Sequence, residues 1–142
     1  MGSHLAILKR QYLDAILSGS KTIESRLTKT RRAHFGRVQP GDRLFLKLSS
    51  GPVCATAIVE RVRYFENLTP KKIGQLKGKY NDLIGGDDDY WRSKMNCRFG
   101  MLVRLKDVRP IEAVRINKKD WRGWVVLTEK EDFGLGGASG SK

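Results

Sequence analysis

Sulfur, histidine and acid are all scarce in this chain. It has two cysteines, Cys54 and Cys97, with no Cys-x-x-Cys spacing, and two histidines, His4 and His34. That excludes a disulfide framework and leaves too few soft ligands for a structural zinc site. Both cysteines read as small buried hydrophobes in a reducing compartment, so the expected location is cytoplasmic. No apolar run is long enough to span a bilayer, no basic helix has the apolar face that lies on lipid, and Leu5–Leu8 is too short for the core of a secretory signal. No membrane partner is therefore expected. No Gly-rich loop follows a strand, which sets Rossmann and P-loop chemistry aside, and no cofactor is expected. Acid is short against base: 15 Asp and Glu face 28 Lys and Arg, a net charge of +13. Such an excess implies a polyanionic partner, nucleic acid first.

What is present suits one globular domain. The 142 residues are 39% hydrophobic and 30% charged, enough for a core without staples. Residues 4–127 are expected to form the domain, with residues 1–4 otherwise left out of the fold reasoning. Residues 128–142 turn acidic and then Gly/Ser-rich, and Phe133–Lys142 is expected to be a disordered tail.

The apolar run His4–Leu8 predicts a first strand, and Tyr12, Leu13, Ile16 and Leu17 recur at helical spacing over 10–18 until Gly19 ends the helix. Arg43–Leu48 alternates as a half-buried strand after the Pro40-Gly41-Asp42 turn, and Val53–Phe65 predicts its hairpin partner. Thr69 and Pro70 open a helix carrying Ile73, Leu76, Tyr80 and Leu83, which Gly74 and Gly78 weaken either for the close approach of another backbone or for mobility. Asp87-Asp88-Asp89 tempts a metal reading, but adjacent carboxylates do not converge; an acidic start to a short helix is the simpler account, and no metal is expected. Phe99–Leu105 is a strand closed by a turn at Asp107–Pro110, Ile111–Ile116 a weaker strand, and Trp121–Leu127 the last. About six antiparallel strands with a helix near the start and a helical insertion predict an α+β, mainly β fold: a small barrel with helical additions.

The stretch Gly19-Ser20-Lys21-Thr22-Ile23-Glu24-Ser25-Arg26 concentrates chemistry. As a strand it turns Thr22, Glu24 and Arg26 one way and Ile23 into the core, a donor-acceptor-donor cluster beside a helix end. A weak surface Glu24–Arg26 pair is the bland alternative. Lys29, Arg31, Arg32 and Arg37 follow in a segment without apolar period, a basic loop that extends the patch. Phe35 within it reads as an anchor before a stacking ring, and Tyr12 serves equally as core or as cleft lining. Tyr90 and Trp91 beside Arg92, Lys94 and Arg98 have the aromatic-among-cations pattern that unstacked bases use, although core filling leads for Trp91.

These residues resemble a known family. Gly19-x-Lys21-x-x-Glu24-x-Arg26, with a strand and helix before it, Tyr12 nine residues before the lysine and the Pro40-Gly41-Asp42 turn after it, is similar to the GxKxxExR signature of ASCH domains in the PUA-like superfamily. The resemblance covers residues 4–127, beyond the signature by element order. It implies a PUA-like barrel whose cleft beside the first helix takes RNA or another nucleic acid at Lys21, Glu24 and Arg26. Some relatives hydrolyse N4-acylcytidine; they resemble this chain at Lys21 but carry threonine where Glu24 stands, so the ester-forming hydroxyl is missing here. Others are ribonucleases.

Two readings follow. As a nucleic-acid-binding module, most naturally for RNA, the chain would use Lys9, Lys21, Arg26, Arg31, Arg32 and Lys94 on phosphate, Glu24 on a base edge or ribose hydroxyl, and Tyr12, Tyr90 or Trp91 for stacking. As a hydrolase on N4-acylcytidine or RNA, it would use Lys21 as base and Glu24 to activate water.

Overall fold

In the computed structural model, which describes residues 1–136, the first apolar run sits inside the sheet. Strand β1 (Ser3–Leu8) lies parallel to β3 (Arg43–Leu48) on one side and antiparallel to β6 (Trp124–Leu127) on the other. Helix α1 (Arg10–Ser18) provides the first part of the crossover that a parallel pair needs, and Gly19 ends it at φ +89°. Its Leu13 and Ile16 are buried, while Leu17 stands outside. Strands β2 (Ile23–Thr28), β4 (Val53–Phe65) and β5 (Phe99–Val114) complete a six-stranded sheet in the order β2-β5-β4-β3-β1-β6. The hairpin β3–β4 is as expected, and the sheet is the curled one of a small barrel.

Two expected features of the second half are overturned. Asp107–Pro110 is no turn between strands: β5 runs through it, with Asp107 at φ +50° and the register against β4 shifting on either side. The long β4 continues to offer ladder partners beyond the irregularity, as far as Val53 opposite Val114, so the turn residues become a bulge that bends the sheet. Strand β6 starts three residues late, at Trp124, which leaves Trp121 in the preceding loop.

The insertion comprises α2 (Pro70–Ile84) and α3 (Asp88–Ser93). Thr69 caps α2 by accepting the Lys72 N–H at 3.2 Å, and Asp87 caps α3 by accepting the Tyr90 N–H at 2.8 Å. Ile73, Leu76, Ile84 and Trp91 form a second core against Ile23, Leu27 and Leu102 of β2 and β5. Gly74 and Gly78 face open space, so neither admits a neighbouring backbone. Among the described residues no helix is long and apolar enough to cross a membrane, and no group of three metal-ligating side chains is assembled.

Both chain ends contribute more than their composition promised. Strand β1 begins at Ser3, and His4 is buried in it with both ring nitrogens engaged: the Trp124 indole N–H donates to Nδ1 at 3.2 Å, and Nε2 lies 2.8 Å from Asp42 Oδ2. An acceptor at Nδ1 places the proton on Nε2, so His4 is neutral and donates to Asp42. Asp42 also accepts the N–H groups of Gly2 and Gln39. At the other end Gly134 turns at φ +81° and tucks Leu135, 0% exposed, against Leu5, Phe45 and Val125. Within the segment expected to be a tail, Leu135 is part of the core; residues 137–142 lie outside the described residues.

Candidate functional site

Among the described residues no backbone ladder joins β2 to β6, and most of the candidate side chains gather where that seam stays open. Arg26 of β2 crosses it. Its Nη2 donates to the Ile7 carbonyl at 2.9 Å, its Nη1 to the Gly123 carbonyl at 3.0 Å, and its guanidinium stacks 5.4 Å from the Trp124 ring centroid. One side chain thus ties β2 to β1 and to the loop before β6.

Glu24 shares that face, as period-two spacing requires. Its Oε2 accepts from Arg26 Nε at 2.8 Å and is ion-paired with Nη2 at 2.7 Å, and its Oε1 lies 3.2 Å from Lys21 Nζ. Lys21 is 4% exposed and Glu24 7%, so this is no bland surface pair. The Lys21 ammonium also donates to the carbonyls of Ile23 at 2.8 Å and Ile84 at 2.6 Å, which matches all three of its N–H bonds. Burial lowers its pKa below the ordinary lysine value, and the Glu24 carboxylate works against that fall. Thr22 departs from the expected face: it precedes β2, and its hydroxyl is buried without a partner.

Over this scaffold opens a cleft of about 870 Å³. Lys9 and Tyr12 line it from α1 and its entry, Glu24 and Arg26 from β2, Arg32 and His34 from the basic loop, Tyr90 and Lys94 from α3 and its end, and Trp121 and Trp124 from the last loop and β6. Lys21 stands behind Glu24 in an annex of about 30 Å³ that Tyr12 and Tyr90 also border. Tyr90 is held at the partition by Ser25, whose Oγ meets its hydroxyl, and burial raises its pKa so that the phenol keeps its proton.

The expected site residues divide. The structure brings Lys9, Tyr12, Glu24, Arg26, Arg32, Tyr90 and Lys94 to the cleft. Lys21 lies behind its wall. Arg31 turns away, 3.8 Å from Glu66 and stacked 4.6 Å from the Phe35 centroid, and Phe35 is the expected anchor, edge-on to Tyr64 and Phe99. Trp91 fills the insertion core and gives its indole N–H to Asn81, because helical spacing puts it opposite Tyr90's open side.

Three residues of the cleft escaped the sequence reading. The sequence offers His34 only as a zinc ligand, and it places Trp121 and Trp124 at the start of a strand, although Arg122-Gly123 between them marks a turn. Trp121 is 99% exposed on a loop tied by Asp120, which accepts from Lys118 Nζ at 2.8 Å and Arg122 Nη2 at 2.7 Å, with Arg122 bound onward to Glu131 at 2.7 Å. Arg122 in particular holds the Asp120 carboxyl far below the usual range. Such exposed pairs add little stability, but they fix where the tryptophan stands.

The position of Gly123 carries a prediction. A Cβ there would lie 2.9 Å from Arg26 Nη1, and that guanidinium has no slack because Glu24, Ile7 and Trp124 hold it. Gly123→Ala is expected to cost about 1–2 kcal/mol, read as a lower denaturation midpoint at unchanged slope.

No family model matches the sequence, and no curated protein does. Solved structures do. The ASCH protein from Zymomonas mobilis aligns at TM-score 0.70 and 18% identity, covering 91% of this chain and 90% of its own. A Tyr-to-Phe variant of it aligns equally well, over 91% and 92%, and a Ser-to-Ala variant at the same score and identity over 96% and 95%. Identity that low speaks to architecture alone, and the architecture is the ASCH-like fold of those structures: a curled six-stranded sheet with a helix after its first strand and a helical insertion before its long fifth.

Proposed function

We propose that this chain binds nucleic acid, and specifically single-stranded RNA, in the cleft at the open seam, with Gly19–Arg26 acting as the ASCH signature it resembles. The observation that carries the reading is Trp121, 99% exposed at a cleft that Lys9, Arg32 and Lys94 also line, none of the three paired with a carboxylate among the described residues. A solvated indole beside unpaired cations suits a base to be stacked and phosphates to be neutralised. In this reading Arg32, Lys9 and Lys94 contact phosphate, Trp121 and Tyr12 stack bases, and Lys21, Glu24 and Arg26 hold the walls in place.

Titration with a short single-stranded RNA, followed by tryptophan fluorescence, tests it. Three phosphate contacts on a single strand predict a slope near −2 in log K against log salt, about a 20-fold loss for a fourfold rise in salt. Trp121→Ala is expected to weaken binding by about 1–3 kcal/mol. Affinity unchanged by salt, or no binding, ends the proposal.

The hydrolase reading draws on the same buried pair. Burial, which lowers the Lys21 pKa, favours it as a base; its two carbonyl acceptors and the Glu24 carboxylate favour the protonated form. Product from N4-acetylcytidine or RNA that disappears in Glu24→Gln would replace binding by catalysis.

A further inference from the structure

The basic loop makes one tight turn, in which the Phe35 N–H donates to the Arg32 carbonyl at 3.0 Å and the Arg37 N–H to the His34 carbonyl at 2.9 Å. Phe35 anchors this turn among Tyr64 and Phe99, and His34 is thereby set into the cleft wall with its ring 6.0 Å from that of Trp124. The residue is 8% exposed, yet neither ring nitrogen has a hydrogen-bond partner among the described residues. Neither is sealed off: the Thr22 hydroxyl is the single buried side-chain atom among them without a partner. Both nitrogens therefore keep accessible surface, on a residue that lines the cleft. His4, which also packs on Trp124, is the opposite case, with both nitrogens spent on protein.

The surroundings decide which form His34 takes. Burial, then the positive charges of Arg26 and Arg32, then His4, push its pKa down to about 4. At neutral pH the ring is uncharged and offers one N–H and one lone pair. A site for phosphate alone would favour imidazolium; a neutral donor and acceptor suits the polar edge of a base. The cleft volume falls in the range that encloses a small organic ligand, ample for one nucleotide.

We infer that His34 determines base specificity: it hydrogen-bonds the edge of one unstacked base that enters the cleft, while Trp121 stacks bases without regard to identity. The inference rests on the RNA-binding reading and adds the residue that selects. Phosphate contacts by Arg32, Lys9 and Lys94 supply affinity for any sequence, whereas His34 makes one sequence better than another.

The test compares short homo-oligomers of U, C, A and G on the wild type and on His34→Ala, His34→Phe, His34→Gln and Arg32→Ala, with the melting temperature of each variant recorded. The wild type should prefer one oligomer by about 10-fold, the worth of one well-made hydrogen bond. His34→Ala and His34→Phe should bring that oligomer down to the level of the others. His34→Gln, which keeps a donor and an acceptor, should restore part of the preference, an outcome that a merely structural histidine would not produce. Arg32→Ala should weaken all four alike. Equal binding of all four by the wild type, or an unchanged preference in the folded Phe variant, overturns the inference and leaves the RNA-binding reading standing. Failure of every oligomer to bind the wild type overturns both.

Discussion

Glu24→Ala is expected to destabilise the protein by about 3–5 kcal/mol, a large part of what a domain of this size has. The carboxylate stands between the buried Lys21 ammonium and the half-buried Arg26 guanidinium. Without it Lys21, 4% exposed, keeps an ammonium whose partners are two carbonyls, and Arg26 loses both bonds that orient its Nε edge. An uncompensated buried charge costs more than the pair ever contributed. Lys21→Met makes the contrast. It removes the charge itself, leaves Glu24 paired with Arg26, and orphans only the Ile23 and Ile84 carbonyls, for an expected cost of about 2 kcal/mol. The double variant should then be less damaged than the sum of the singles, since the second change removes the charge stranded by the first. Urea denaturation of the three variants checks this. A cost below about 1 kcal/mol for Glu24→Ala would mean that the pair behaves as an exposed one.

Acid is expected to unfold the protein in two steps of distinct origin. His34 has a pKa near 4 in the folded state, against 6.5 for a free histidine, so between those values the unfolded chain binds more protons than the folded one. Stability is then full above about pH 6.5 and falls as pH drops, by about 1.4 kcal/mol per pH unit and on the order of 3 kcal/mol by pH 4. His4 adds to this. Burial lowers its pKa despite Asp42, with the Arg37 charge adding to the fall, and a second proton on Nδ1 would face the Trp124 indole N–H. The second window lies lower. Burial alone would raise the Asp42 pKa, but its bond from His4 and those from the Gln39 and Gly2 N–H groups outweigh that and leave it below the ordinary value. Its contribution is present above pH 3.8 and is lost as pH falls through the folded pKa. His34→Gln should make the profile shallower between pH 4 and 6.5, leaving the share of His4, without changing the lower window. Superimposable profiles for the variant and the wild type would exclude His34 as the source.

Much of this was legible locally. Helical and alternating periodicity, the Thr69-Pro70 cap and the glycine after α1 place the elements, because propensity and capping act over a few neighbours. Glu24 and Arg26 fall on one face by period-two geometry alone, and the excess of cations is a matter of counting. The limits are equally specific. Asp107–Pro110 reads as a turn until the ladder with β4 carries the strand through it. His4 reads as a chain end until Asp42 and Trp124 close on it, and Leu135 as tail until Phe45 and Val125 cover it. The cleft is the extreme case: Lys9, Arg32, Tyr90 and Trp121 come from four separate parts of the chain and meet because the curled sheet stops short between β2 and β6. The amino-acid sequence by itself determined the elements, the charge and the Lys21–Glu24–Arg26 cluster. Only the tertiary structure decided that Lys21 is a buried strut, that Trp121 stands in solvent and that His34 lines a cleft with neither nitrogen bonded to a described residue, because burial is a property of long-range pairing and cannot be read from sequence neighbours.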